Sequence, residues 1–181
     1  IAVCISGGKD SMLMAKLFQE LKRHNKFDFE VKFLVMDPGY SPENRKVIED
    51  NAKSLNIPIT IYESDIFESV FNVEKSPCYL CARMRRGYLY SKAKELGCNK
   101  IALGHHFDDA VQTFFMNLFY GGKIGCFSPM SYLSRKDLYL IRPMVFCEES
   151  KVKSAAQRYH LPVVKSECPV DGHTCRQSTQ E

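Results

Sequence analysis

The chain has 181 residues, of which 45% are hydrophobic and 25% are charged, and its formal net charge at pH 7 is +4. This length and composition are typical of a single globular domain, and we predict one domain over residues 1–181. No run of about 18 apolar residues occurs, which excludes a membrane-spanning helix, and Lys9 and Asp10 interrupt the only apolar start that a signal peptide could use. We therefore expect a cytoplasmic protein without a membrane partner. We also expect the natural chain to extend beyond one or both ends of this sequence, because Ile1 already lies in a strand-like run.

Apolar and amphipathic stretches alternate along the sequence. Short apolar runs predict five strands, at residues 1–5, 29–36, 57–62, 100–104 and 138–141. Amphipathic periodicity predicts helices at residues 11–23, 79–96, 107–120 and 148–159. A further helix begins at Ser41 and Pro42, which are a typical cap and first helical residue. The first helix is predicted to bury one apolar face, formed by Met12, Leu13, Leu17 and Leu21.

This alternation of strand and helix is typical of βαβ units. Because such crossovers are right-handed, we predict an α/β fold with a doubly wound, five-stranded parallel sheet in the order 3-2-1-4-5 and helices on both faces. Ligands of such sheets bind beyond the carboxyl ends of the strands, where the strand order reverses.

The first predicted strand leads into Ser6-Gly7-Gly8-Lys9-Asp10-Ser11, at the point where a ligand is expected. The glycines allow the backbone to approach a phosphate closely, and the following helix presents unpaired N–H groups. Lys9 adds a positive charge, while the carboxylate of Asp10 would repel a phosphate unless Mg²⁺ lies between them. A glycine turn with a helix cap would explain Ser-Gly-Gly alone, but the whole hexapeptide predicts a phosphate-binding loop.

Eight cysteines are many for this length, and without a secretory signal they favour metal binding or redox chemistry over a disulfide framework. Cys78 and Cys81 form a C-x-x-C pair at a helix start. The pair would suit half of a zinc site completed by Cys168 and Cys175, or an iron–sulfur cluster with a third thiolate. A redox couple is disfavoured, because that motif should follow the first strand of a thioredoxin-like unit and this pair does not. Spacing alone does not separate zinc from iron. Three other cysteines are predicted to be small core residues, namely Cys4, Cys98 and Cys147.

Polar residues follow the fourth and fifth predicted strands, again on the ligand side. His105 and His106 suit either a ligand contact or a structural cap, and Asp108 and Asp109 suit the first turn of a helix for dipole reasons. We also expect Gly104 to let a nucleotide pack against its backbone. Basic residues that could hold phosphates, or form a solvated surface, are Arg83, Arg85, Arg86, Lys92, Lys94 and Arg142.

The hexapeptide resembles the pyrophosphatase loop of the N-type ATP pyrophosphatases, the PP-loop superfamily. Further motifs follow in order along nearly the whole chain: residues 78–87 (CYLCARMRRG), 102–109 (ALGHHFDD), 119–123 (FYGGK) and 141–143 (IRP). Together they resemble the tRNA 2-thiocytidine synthetase (TtcA) family. The tail departs from those members that carry a second C-x-x-C there, because the thiol after Cys168 is Cys175.

This resemblance implies that ATP is cleaved between its α and β phosphates, with the adenine near Met36 and Asp37. It also implies a 4Fe–4S cluster, with Zn²⁺ as the alternative, on Cys78, Cys81 and Cys168, while Cys175 would be a bystander. One iron without a thiolate would carry sulfide. The expected ATP-binding residues are Ser6, Gly7, Gly8, Lys9, Asp10, Ser11, Met36, Gly104 and His105, and the expected catalytic residues are Lys9, Asp10 and Arg85.

The implied reaction is adenylation of a cytidine carbonyl in tRNA with release of pyrophosphate, followed by replacement of AMP by sulfur to give 2-thiocytidine. The sulfur donor stays open. The mild net charge suggests that tRNA docking depends on the arginines, on segments outside this chain or on a second subunit, as in a homodimer. Alternatives are thiolation of uridine, lysidine synthesis, a phosphosulfate-type reductase that uses Cys168, and a non-enzymatic adenylate-binding module.

Overall fold

The computed structural model describes residues 1–71 and 77–164. Its elements follow the chain as six strands and six helices within these residues. The strands are β1 (Ala2–Ile5), β2 (Lys32–Asp37), β3 (Ile59–Glu63), β4 (Lys100–Ala102), β5 (Met130–Leu133) and β6 (Leu138–Ile141). The helices are α1 (Lys9–His24), α2 (Pro42–Ser54), α3 (Ile66–Phe71), α4 (Pro77–Glu95), α5 (Phe107–Gly121) and α6 (Glu149–Arg158).

All six strands join one sheet in the order β3-β2-β1-β4-β6-β5. The pairs among β3, β2, β1, β4 and β6 are parallel, which confirms the predicted α/β class and the order of the five predicted strands. The strand count was wrong. β5 pairs antiparallel with β6 and adds a sixth, edge strand to a sheet that was predicted to be entirely parallel. The central strand β1 pairs with both β2 and β4, so the chain reverses its direction of travel across the sheet beside β1.

Helices cover both faces of the sheet because alternate residues of β1 enter two different cores. Val3 and Ile5 pack with Met14 of α1 and Ile48 of α2 in one cluster. Ala2 and Cys4 pack in a second cluster, which includes Ala93 of α4 and Leu34 of β2. A strand buried on both faces in this way is typical of a parallel sheet between two helical layers.

The apolar face predicted for α1 was partly wrong. Leu17 and Leu21 are 46% and 40% exposed, whereas Met14, Ala15 and Phe18 are buried with Met12. Ser11, at the start of the helix, is also buried, and its hydroxyl accepts a hydrogen bond from the N–H of Ser6 in the preceding loop.

The core cysteines divide in a similar way. Cys4 and Cys98 are buried as predicted, and burial followed by the neighbouring Cys98 raises the pKa of the Cys4 thiol to about 12, so this thiol stays protonated. The prediction for Cys147 was wrong, because its side chain is exposed. Its backbone carries the structural role instead, accepting a 2.8 Å hydrogen bond from the N–H of Phe107.

Other local predictions were confirmed. The Ser41 side chain accepts a hydrogen bond from the N–H of Asn44 and caps α2, with Pro42 as the first helical residue. No helix in the described ranges, 1–71 and 77–164, combines the length and apolar character that crossing a bilayer requires.

Candidate functional site

The loop between β1 and α1 turns on Gly7, whose φ of +84° lies in the region that favours glycine. A side chain there would also meet Val164 at 3.1 Å and Ile48 at 3.3 Å. The Ser11 hydroxyl closes the loop from inside, because it donates to the carbonyl of Gly8 and accepts from the N–H of Ser6. The Gly7 carbonyl accepts from the N–H of Val164, which holds the end of the described chain against the loop.

The first turn of α1 keeps its backbone donors available. Gly8 is the N-cap residue, and no side chain among the described residues caps this helix start. The first N–H groups of a helix lack partners within the helix, and together with the helix dipole they attract an anion.

Gly104, just after β4, lies directly against this helix start. A Cβ atom at Gly104 would come within 3.2–3.3 Å of the backbone of Asp10 and Ser11. The loop itself therefore comes close enough to favour glycine at this position. The predicted contact of a nucleotide with Gly104 stays a prediction.

A cavity of about 290 Å³ lies between the loop and the ends of the neighbouring strands. Of the expected ATP-binding residues, the structure brings six to its wall: Ser6, Asp10, Ser11, Met36, Gly104 and His105. Arg85 of α4 and Asp109 of α5 also line it. Gly7, Gly8 and Lys9 do not line this cavity.

Lys9 is engaged by two carboxylates. Its Nζ lies 3.2 Å from Asp10 Oδ2 and 2.9 Å from Oε1 of Glu149, at the start of α6. Burial alone would lower the pKa of Lys9, but the hydrogen bonds with Glu149 and Asp10 outweigh it and raise that pKa. Burial opposes ionisation of Glu149 too, yet hydrogen bonds from Lys9 and Lys153 lower its pKa to about 2. Glu149 was missed from the sequence, because only the fold brings the two helices together.

Asp10 has one carboxylate oxygen in an unusual state. Oδ2 pairs with Lys9, whereas Oδ1 is buried without a hydrogen-bond partner among the described residues. Nε2 of His106 lies 3.9 Å from Oδ1. A buried carboxylate oxygen is costly unless a cation or donor satisfies it. Asp10 therefore provides the kind of oxygen ligand that Mg²⁺ prefers. No group of three candidate metal-ligating side chains forms in the described part of the chain. Phosphates and water would therefore supply the other ligands of such an ion.

The His-His-Phe-Asp-Asp segment divides between the cavity and the scaffold. His106 is 6% exposed and caps α5 in a capping box, in which Asp109 Oδ2 accepts from the N–H of His106 and the His106 ring accepts from the N–H of Asp109. Asp108 Oδ2 accepts a 2.7 Å hydrogen bond from the N–H of Glu149 and so caps α6. His105 and Asp109 line the cavity, and the His105 ring lies 5.1 Å from that of Phe127.

The end of β2 contributes in two different ways. Met36 is 2% exposed and lines the cavity, whereas the carboxylate of Asp37 accepts hydrogen bonds from the N–H groups of Gly39 and Tyr40 and closes its own loop. Tyr40 in turn accepts a 3.3 Å hydrogen bond from Nη2 of Arg85. Burial, the largest influence, raises the pKa of Tyr40 although the Arg85 guanidinium opposes it. Arg85 is thereby oriented at the wall of the cavity.

The expected metal-binding thiols are partly covered by the structure. Cys81 is buried in a cluster with Ile66, Val70 and Met36, and Met36 is a residue of the cavity wall. Cys78 lies one helical turn earlier in α4, and its side chain lies outside what the structure describes. Cys168 also lies outside the described residues.

Some of the basic side chains on α4 that the sequence offered for phosphate binding make contacts within the protein instead. Lys92 pairs with Glu95 and lies over the rings of Tyr62 and Tyr88, and Lys94 pairs with Asp137. These two lysines help to attach α4 to its neighbours. Arg83 and Arg86 are exposed, and Arg142 lies 4.5 Å from the ring of Phe127 with Nη1 donating to the carbonyl of Ser128.

The sequence matches the model of one protein family, described as the PP-loop domain, over residues 1–177. The chain is 40% identical to a tRNA-cytidine(32) 2-sulfurtransferase of Ralstonia pickettii over 172 residues, which covers 91% of this chain and 53% of that protein. An enzyme of the same name from Pelobacter propionicus is 36% identical over 177 residues, covering 96% of this chain and 66% of that protein. The chain thus spans about half to two thirds of the length of these relatives.

Two solved structures are similar in fold. The U34-tRNA thiolase NcsA from Methanococcus maripaludis, solved with its 4Fe–4S cluster, superposes with a TM-score of 0.77 at 22% identity, over 98% of this chain and 63% of that one. A phosphoadenylyl-sulfate reductase from Candida auris, in complex with phosphate, gives a TM-score of 0.56 at 12% identity, over 89% and 73% of the two chains. At these identities the likeness shows the fold alone.

Proposed function

Because the chain belongs to the PP-loop domain family, we propose that it is the adenylating domain of an ATP-dependent tRNA thiolase that converts cytidine to 2-thiocytidine. The relatives that are 36–40% identical are named as cytidine-modifying enzymes, and this favours cytidine over the uridine named for the more distant structural neighbour. The same names favour thiolation over the reductase, whose likeness is limited to the fold.

The observation that carries the proposal is the cavity at the end of β1. An uncapped helix start, the buried unpartnered oxygen of Asp10 and the oriented guanidinium of Arg85 all lie at its wall or directly beside it. Backbone donors and a guanidinium suit a phosphate chain, and a carboxylate oxygen suits its magnesium ion. Met36 offers the apolar contact that an adenine ring needs.

The proposed reaction begins when the O2 carbonyl oxygen of cytidine attacks the α phosphorus of ATP. The bond from the α phosphorus to the bridging oxygen breaks, and pyrophosphate leaves with the electron pair. The N–H groups at the start of α1 and the Lys9 ammonium would stabilise the charge that develops on pyrophosphate, which is electrostatic catalysis by groups already in place. Mg²⁺ held by Asp10 would neutralise phosphate charge. Sulfide then attacks C2, and AMP leaves with the oxygen.

Cys78, Cys81 and Cys168 are proposed to hold a 4Fe–4S cluster that carries this sulfide. Three thiolates leave one iron without a protein ligand, which a sulfur carrier requires. The presence of Cys81 and Met36 in one buried cluster supports a location near the nucleotide. Cys168 follows Val164 by four residues, and Val164 is hydrogen-bonded to the phosphate loop. The exposed Arg83 and Arg86 are proposed to contact tRNA phosphates.

The test of adenylation is pyrophosphate release from Mg-ATP in the presence of tRNA that lacks the modification. We expect Asp10→Asn to lower kcat/KM by roughly 100-fold, since it removes the proposed metal ligand. Asp50→Asn, on the exposed side of α2, is the matched control and should behave as the wild type. Binding of ATP without any pyrophosphate release by the wild type would refute the enzymatic proposal.

The test of the cluster is the absorption spectrum and metal content of protein purified without oxygen. Cys78→Ala, Cys81→Ala and Cys168→Ala should each lose iron, whereas Cys175→Ala should retain it. Colourless protein with stoichiometric zinc would remove the sulfur-carrier role but leave adenylation standing. A full cluster in Cys168→Ala would show that another thiol is the third ligand.

A further inference from the structure

The lysine of the phosphate loop is held from another helix. Glu149 Oε1 lies 2.9 Å from Lys9 Nζ, and Glu149 Oε2 accepts a 2.9 Å hydrogen bond from Lys153 one turn later in α6. The Lys9 and Glu149 side chains are each 26% exposed, so the pair is shielded from much of the solvent. The contact joins residues that are 140 positions apart, and α1 packs against α6.

The start of α6 is itself fixed. The Glu149 N–H donates to Asp108 Oδ2 at 2.7 Å, and Asp108 belongs to the first turn of α5. That turn is held by the capping box of His106 and Asp109. Contacts between α5 and α6 therefore fix the backbone of Glu149, from which its side chain reaches Lys9. A functional side chain is held in one place when its supporting backbone is fixed in this way.

We propose that Glu149 is a positioning residue for Lys9, holding its ammonium beside the phosphate loop so that one N–H remains directed to the leaving pyrophosphate. An ammonium has three donors, of which Glu149 and Asp10 take two. Without Glu149 the four-carbon side chain of Lys9 would regain rotational freedom that phosphate binding must then remove. This inference rests on the proposed function and assigns Glu149 a part in it.

Two further charged groups contact the pair. Asp10 on α1 pairs with Lys9, and Lys153 on α6 pairs with Glu149. In Glu149→Gln, Lys9 would therefore keep its ion pair with Asp10 but lose the ion pair that joins it to α6.

The experiment compares Glu149→Gln with Glu148→Gln in the complete protein. Glu148 lies next in sequence and pairs with Lys151 in an exposed ion pair, so its variant loses the same charge without touching Lys9. We expect Glu149→Gln to lower kcat/KM for pyrophosphate release by about tenfold, since small displacements of a reacting group are costly. Binding of magnesium pyrophosphate in calorimetry should weaken by a similar factor. Glu148→Gln should match the wild type in both measurements.

A second variant guards against loss of folding. Glu149→Asp keeps the carboxylate that pairs with Lys9, so it should recover part of the lost kcat/KM and pyrophosphate affinity. Equal kinetics and pyrophosphate affinity for Glu149→Gln and Glu148→Gln would overturn the inference. So would a Glu149→Asp variant that recovers neither quantity. If the wild type released no pyrophosphate, the proposed function would fail instead, and unchanged pyrophosphate binding in Glu149→Gln would still refute the positioning role.

Discussion

Helices α1 and α5 begin beside the same cavity, but only the first turn of α5 is capped by side chains. At α1, Gly8 offers no side chain, and the described residues supply no cap from elsewhere. At α5, His106 and Asp109 satisfy each other's backbone donors in a capping box. Asp108, in the same turn, then caps α6.

This difference separates a binding surface from a scaffold. A capping box is worth about 1 kcal/mol of stability and leaves few donors for a ligand. An uncapped start gives up that stability, and its N–H groups remain available to an anion. We infer that the α5 side holds the site in shape, while the α1 side carries the chemistry.

The largest effect is expected when α1 is given the cap that it lacks, because this tests directly whether its free N–H groups bind phosphate. Gly8 has φ of −74°, and a Cβ atom there would meet only the Ser6 hydroxyl, at 3.7 Å, so a side chain fits. In Gly8→Asp the carboxylate should accept from the N–H groups of the first turn and repel phosphate. We expect affinity for ATP to fall by roughly 100-fold or more, and the free energy of unfolding to stay within about 1 kcal/mol of the wild type. Calorimetry and urea melts measure the two effects.

Gly8→Ser is the graded control for this change, because it adds a cap without a charge and should weaken ATP binding less. Unchanged ATP affinity in Gly8→Asp would show that the α1 start does not bind the phosphates. A large loss of stability would show instead that the substitution distorts the loop.

The same two helix starts show what the sequence could reveal. Ser6 to Ser11 and residues 105–109 were both singled out, because glycines, caps and strand ends leave local patterns. Local patterns did not show which of the two helix starts has its N–H groups already hydrogen-bonded, since the capping box depends on side-chain geometry. Glu149 left no local signal, because its partner Lys9 lies on a helix far away in sequence. β5 was missed for a similar reason, as its pairing with β6 adds an antiparallel edge after a sequence of parallel strands.

A smaller effect is expected when the capped helix loses its cap. His106→Ala removes the acceptor for the N–H of Asp109 and a buried ring, so we expect a loss of about 1–2 kcal/mol in the free energy of unfolding. His106→Asn keeps a capping side chain and should recover part of this loss. Affinity for ATP should change much less than in Gly8→Asp. A stability loss in Gly8→Asp equal to that in His106→Ala would abolish the distinction between the two regions.

The smallest expected effect concerns pH and the ion pair that links the two regions. The pKa of folded Glu149, about 2, lies below its ordinary value of 4.5, so the ionised carboxylate stabilises the fold above pH 4.5. That stabilisation should be lost as the pH falls from 4.5 towards 2, because the unfolded chain takes up the proton first. Both side chains of the pair are about a quarter exposed, which limits the contribution to less than about 1 kcal/mol. Urea melts at about pH 2.5 to 5 cover most of the interval between the two pKa values of Glu149. The free energy of unfolding should therefore depend less on pH in Glu149→Gln than in Glu148→Gln. Parallel curves for the two variants would mean that the pair contributes nothing to folding, and that its role is confined to holding Lys9.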